Sequence, residues 1–254
     1  MADNVLVSAE NRIQTIRIHR PDKKNALTRE MYVAMTEALR KADQDPSVRA
    51  ILLTGSEECF TAGNDIADFA AAKPGEAPVA LDYLRALADT AKPVVAAVAG
   101  VAIGIGTTML LHCDLVYAAE NTRFQLPFVN LGLCPEAGSS YIIPALAGHH
   151  RAAELIMLGE PFGTAVARDL GIVNQVVGPS ELITTAVQRA QQLVEKPPSA
   201  LRKTKMLLKS GVDQAVKQAM ARETEQFAAL LQAPEAKEAM MAFLQRRKAD
   251  FSKF

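Results

Sequence analysis

The sequence predicts an α/β fold that passes into an all-helical tail. Short runs of branched residues alternate with stretches of helical period from Val5 to Ala118, the pattern of strands covered by helices. Beyond Pro179 the strand signal fades and helical stretches follow one another. With 49% hydrophobic residues among 254, the chain can bury a sizeable core as one large or two small domains.

Val5–Ser8 and Ile13–His19 read as a hairpin, because Ile16 and Ile18 alternate with Arg17 and His19. Arg20–Asn25 breaks it. Thr28 is placed to cap a helix running to about Ala42, with Met31, Met35, Ala38, Leu39 and Ala42 on one face, and Asp45-Pro46 ends it. Val48–Thr54 reads as a buried strand closed by Gly55. A loop from Cys59 to Asp65 follows, and Ala70–Pro78 is small and polar enough to suggest a mobile cover. The next helix shows Leu84, Leu87, Ala88 and Ala91 on one side and stops at Lys92-Pro93. Val94–Val98 is a strand, Gly100–Gly106 turns into a short helix reaching about His112, and Asp114–Ala118 is another strand.

Leu126–Gly138 contains Pro127 and Pro135 and ends in Ala-Gly, so it reads as a shaped loop entering a helix. Helices are expected from about Gly138 and His149, then a strand at Ile172–Val177 after the helix stop Gly171. The tail divides into helices over Pro179–Val194, Pro198–Lys209, Val212–Leu231 and Pro234 to about Lys248. The face made by Val212, Ala215, Val216, Ala219, Met220 and Phe227 needs a partner, either the core or another subunit.

Lys plus Arg and Asp plus Glu are each 28, so the chain as a whole offers no basic field for nucleic acid or membrane. Cys59, Cys113 and Cys134 form no CxxC pair and point to reduced thiols in a cytoplasmic protein. The amino terminus lacks the basic start and apolar centre of a signal peptide, and no uncharged apolar run reaches about 18 residues. Ser252-Lys253-Phe254 misses the peroxisomal address at its last residue.

Two turns and one carboxylate offer chemistry. Gly104-Ile105-Gly106 lies between a strand and a helix, where N–H groups are left unsatisfied and the dipole favours negative charge. Ala62-Gly63-Asn64-Asp65 is a second small-residue turn leading into a helix. One N–H from each could hold a thioester oxygen as it becomes an enolate, each donor contributing roughly 3 kcal/mol. Tight turns or close packing account for the same glycines. A dinucleotide fingerprint fails because Met109 stands where a third glycine is needed, and no Gly-Lys-Ser/Thr is present for a phosphate loop. Glu136 is the carboxylate with least structural reason for its place, although a helix-start acid after Pro135 would also explain it.

At these positions the chain resembles the crotonase superfamily, the enoyl-CoA hydratase and isomerase group. The resemblance runs through Arg20-Pro21 with Asn25-Ala26-Leu27, Phe60–Ile66, Lys92–Gly106, Cys113–Ala118 and Phe243–Phe251. It implies a ββα spiral over residues 1–195 and a helical trimerisation region over 196–254, giving a homotrimer or dimer of trimers. The implied ligand is an acyl-CoA thioester, with coenzyme A part of the substrate and no separate cofactor or metal. The implied oxyanion hole is the backbone N–H of Asn64 and of Ile105. Lys24 and Ala26 would lie near the adenine end, with Ala62, Asp65 and Ile66 along the ligand, Phe128 closing the acyl pocket and Phe251 bordering it.

The two glutamates of the family's hydratases fall at Thr108 and Phe128 here, so both are missing. Glu136 falls where the similar Δ3,Δ2-enoyl-CoA isomerases carry their single catalytic glutamate, within Pro127–Ser140. One base can take a proton from carbon 2 and return it at carbon 4, whereas hydration must also position and deprotonate water. Among Leu131, Leu133 and Cys134 that base should have a raised pKa. A hydratase or other crotonase reaction, and a noncatalytic acyl-CoA-binding member of the fold, are the alternatives. His19, His112, His149 and His150 show no triad or metal spacing and read as structural or surface residues.

Overall fold

The computed structural model describes residues 4–70 and 79–254. Strand β1 (Val5–Glu10) pairs antiparallel with β2 (Ile13–Ile18) as expected. Asn11 and Arg12 make the two-residue turn with φ of 50° and 66°, the positive values that match the twist of a hairpin. Helix α1 (Arg29–Gln44) begins where Thr28 Oγ1 accepts the Met31 N–H at 3.4 Å, and all five residues of its expected apolar face are buried.

The chain continues through β3 (Ala50–Thr54), α2 (Ile66–Ala70), α3 (Val79–Asp89), β4 (Val94–Val98), β5 (Val101–Ile103), α4 (Ile105–Thr108), β6 (Leu115–Ala119) and β7 (Arg123–Gln125). Helices α5 (Ser139–Ala147) and α6 (His149–Leu158) follow, then β8 (Phe162–Gly163), α7 (Thr164–Asp169) and β9 (Gln175–Val177). The tail consists of α8 (Leu182–Val194), α9 (Pro198–Ser210), α10 (Asp213–Leu231) and α11 (Pro234–Leu244).

Six strands form one sheet in the order β1-β2-β3-β4-β6-β9, parallel from β2 onward. Both faces of its centre are buried, which is why these strands read as continuous apolar runs. Ile51 and Leu53 join the main core with Met31, Met35 and Leu39 of α1. Ala50, Leu52, Val95 and Ala97 point the other way, onto Leu182, Ala186, Ala190 and Val194 of α8. Truncating Leu39 or Leu53 to alanine would cost about 2–5 kcal/mol at such fully packed positions.

A second sheet, β5-β7-β8, stands beside the first. Its strand β5 lies inside Gly100–Gly106, which reads in sequence as a turn into a helix; three residues between glycines carry too little period to be recognised. Helix α3 ends at Asp89, so Ala91 lies beyond it and is exposed, and Tyr83 is buried with Leu84 and Leu87 instead. Only Gln175–Val177 of the expected Ile172–Val177 strand pairs, and the last helix stops at Leu244 rather than near Lys248. The cover expected over Ala70–Pro78 lies, past Ala70, outside the described residues.

Besides α8 on the sheet, two further tail helices fold back onto their own chain: α10 packs on α5, and α11 on α2 and the turn at Val129–Leu131. Met206, Leu207 and Leu208 of α9 are instead exposed, Leu208 at 78%. Among the described residues no helix is long and apolar enough to cross a membrane.

Candidate active site

The two glycine-bearing turns are neighbours because the segments leading into them run side by side. Thr61 N–H donates to Val101 O at 3.0 Å and Ile103 N–H to Thr61 O at 3.1 Å, a parallel bridge between Thr61 and Ala102. Asn64 and Ile105 each come three residues after a member of that bridge, so both turns emerge at the same end. Leu27 also bridges Asn64, donating to Gly63 O at 2.8 Å and accepting from Asp65 N–H at 2.9 Å. In that pattern the N–H of Asn64 itself faces away from Leu27. Ile105 is the first residue of α4, where an N–H has no partner within the helix. Among the described residues, neither N–H meets an acceptor.

Glycine is required for this closeness. Gly63 has φ of 89°, and a Cβ there would stand 2.7 Å from Ile103 O. A Cβ on Gly106 would stand 2.6 Å from Thr61 Cγ2. Tight packing and the open N–H groups are thus two results of one arrangement.

Polar side chains fasten the first turn. Buried Asn25 donates to Cys59 O at 2.7 Å, and Thr61 Oγ1 donates to Asn25 O at 2.6 Å. Arg20 Nη1 donates to Ala26 O at 3.0 Å and to Asp65 Oδ2 at 2.7 Å. Asp65 Oδ1 accepts the Ala67 and Asp68 N–H groups at 3.0 and 3.1 Å, capping α2 just before Ile66. Burial opposes the Asp65 charge, yet Arg20 and these N–H groups hold its pKa below the ordinary value. Ala62 N–H donates to Lys24 O at 3.0 Å, while the rest of Lys24 is exposed. Lys24, Ala26, Ala62, Asp65 and Ile66 therefore gather on the turn that carries Asn64. Tyr32 O–H donates to Asn64 Oδ1 at 2.5 Å.

Glu136 reaches this region through Thr108, whose Oγ1 donates to Glu136 Oε1 at 3.0 Å. Thr108 ends the short helix that Ile105 begins. Burial of the carboxyl, helped by the charge of Glu223 and opposed by the Thr108 bond, lifts the Glu136 pKa from 4.5 to about 7. Phe128 is buried in the same loop with Leu126 and Leu133.

The loop is held at the two residues after Glu136, Ala137 and Gly138, which have φ of 62° and 72°. For Ala137 that conformation costs about 1–2 kcal/mol. His112 offsets it by donating from Nε2 to Ala137 O at 2.8 Å. Burial lowers the His112 pKa to about 4, so the ring is neutral at pH 7. Ser139 donates to Glu136 O from its N–H at 3.0 Å and from its hydroxyl at 2.5 Å.

A helix-start role for Glu136 does not match this geometry. The acid at the start of α5 is Glu223 of α10, accepting from Gly138 N–H at 2.6 Å and Ser140 N–H at 2.9 Å. The sequence reading passed over Glu223, Tyr32 and the structural consequence of Thr108. One signal for Glu223 was available: it follows buried Ala219 and Met220 by four and three residues, on the apolar face of its helix. A cavity of about 260 Å³ lined by Asp43, Arg49, Lys92 and Arg202 lies elsewhere, before the starts of β3 and β4.

The model of the enoyl-CoA hydratase/isomerase family matches residues 8–253. Similar proteins carry both isomerase and hydratase names. The chain is 32% identical over 260 residues to the 1,2-epoxyphenylacetyl-CoA isomerase of Escherichia coli (strain K12), covering 99% of each chain. It is 32% identical over 254 residues to the crotonyl-CoA hydratase of Syntrophomonas wolfei, covering 98% of each. The crystal structure of an enoyl-CoA hydratase/isomerase from Pseudoalteromonas atlantica matches with a TM-score of 0.93 at 37% identity, over 98% of this chain and 100% of that one.

Proposed function

The chain belongs to the enoyl-CoA hydratase/isomerase family, and from that premise we propose that it is a Δ3,Δ2-enoyl-CoA isomerase acting on an acyl-CoA thioester. Glu136 as carboxylate removes a proton from carbon 2 of the 3-enoyl group, and the electrons move through the conjugated system onto the thioester oxygen. The N–H groups of Asn64 and Ile105 stabilise that oxyanion in a site formed before substrate arrives. Glu136, now a carboxylic acid, returns the proton to carbon 4, which leaves the double bond between carbons 2 and 3. No water and no second base are consumed.

The observation that carries this reading is the Thr108–Glu136 bond. It ties the base to the helix whose first N–H is one of the oxyanion donors, about one turn away. Thr108 and Phe128 also occupy the positions where the resemblance places the hydratase glutamates, which supports isomerisation over water addition. A carboxyl with pKa near 7 is divided between base and acid at neutral pH, as a group that both takes and returns a proton needs to be. The exposed Met206, Leu207 and Leu208 support assembly with further copies, a trimer or a dimer of trimers.

The test offers 3-enoyl-CoA and 2-enoyl-CoA of several chain lengths to the wild-type and Glu136→Gln proteins. Conjugated enoyl absorbance should appear from the 3-enoyl substrate and be lost about 100- to 10,000-fold in the variant, with acyl-CoA binding retained by calorimetry. Faster loss of that absorbance from 2-enoyl-CoA would favour the hydratase alternative. Binding without either reaction would favour a noncatalytic member of the fold.

A further inference from the structure

We propose that Glu223 is a positioning residue for Glu136, holding the loop on both sides of the base and setting a negative charge against it. This rests on Glu136 being the base. Glu223 lies on α10 in the helical tail, only 6% exposed. Its carboxylate takes the Gly138 and Ser140 N–H groups at 2.6 and 2.9 Å, beyond Glu136 in the chain. Its backbone oxygen accepts from Cys134 Sγ at 3.7 Å, before Glu136. One residue of the tail thus grips the base's loop at 134 and 138 and the first turn of α5 at 140.

Glu223 is also, among the described residues, the charged group acting on the base. Among the described residues, Tyr32 from α1, Cys134 from the loop, Thr108 from α4, Ser139 from α5 and His112 beneath Ala137 are other polar groups facing Glu136 and its loop. Burial keeps Tyr32 and Cys134 protonated and His112 neutral near pH 7, and Thr108 does not titrate there. A simple helix cap would need only the two N–H bonds. A like charge kept beside a buried base, with no cation at its oxygens among the described residues, makes the carboxylate a stronger base for removing the carbon-2 proton.

The test follows the Glu136 carboxyl by carbon-13 resonance in full-length protein labelled at glutamate, the signal assigned by its loss in Glu136→Gln. It needs no turnover, so failure of the isomerase reading would show separately, as wild type that titrates normally but does not convert 3-enoyl-CoA. Wild type should titrate near pH 7, and Glu223→Gln at a midpoint roughly half to one pH unit lower. Glu223→Asp keeps the charge and should keep the midpoint, while its shorter reach loosens the loop and lowers kcat roughly ten- to hundredfold at constant KM. A folded Glu223→Gln protein with the wild-type midpoint would overturn the proposal. If Glu223→Gln does not fold, Glu223→Asp decides alone: unchanged kcat and KM, or a lowered midpoint, also overturns it.

Discussion

Thr108 Oγ1 donates to Glu136 Oε1 at 3.0 Å, which joins the loop of the proposed base to the four-residue helix headed by Ile105. The bond stabilises the ionised form of Glu136 against the burial that disfavours it. Thr108→Val, close in shape and without the donor, should therefore raise the midpoint of the pH–rate curve by roughly one pH unit. A midpoint that stays in place, read from kcat/KM between pH 5 and 9, would remove Thr108 from the site.

In the wild type, proton removal needs the carboxylate. Activity should rise about tenfold per pH unit below the Glu136 pKa and level off above about pH 7. A curve already flat from pH 5 would show that the base ionises as an ordinary exposed glutamate.

The same burial has a stability consequence. The folded pKa of about 7 exceeds the ordinary 4.5, so the unfolded chain ionises first and Glu136 lowers stability progressively as pH rises from about 4.5 to 7. Glu136→Gln should be more stable than wild type above pH 7 by up to about 3 kcal/mol and nearly equal to it below pH 4.5. Urea unfolding at pH 4 and pH 8 measures both limits, and equal midpoint differences at the two pH values would contradict the prediction.

Gly63→Ala tests the closeness of the two turns. The new methyl would meet Ile103 O at 2.7 Å, in a backbone conformation with φ of 89° that alanine rarely adopts. The expected cost is about 1–3 kcal/mol of stability, with kcat falling roughly 100-fold if the Asn64 N–H leaves its place. Loss of stability with kcat intact would separate packing from the oxyanion role.

Much of the core was legible because it depends on local period. Met31, Met35 and Leu39 mark one side of α1, and Ala50–Thr54 is apolar on both sides because helices cover both faces of the sheet. Strand β5 was not legible, since its three residues gain their meaning from pairing with β7 and from the bridge at Thr61. Phe128 was legible as an apolar replacement, and the structure places it in the core.

By itself the sequence determined the α/β core, the helical tail, the two glycine turns and a single acid in an apolar loop, because propensity, period and turn chemistry act over a few residues. Only the tertiary structure decided what surrounds that acid. Thr108 lies 28 residues from Glu136 and Glu223 lies 85 residues from Gly138, and such pairings are set by how α4 and α10 pack on the loop. The pKa near 7 follows from that packing, since burial and a like charge exist only once distant segments have met.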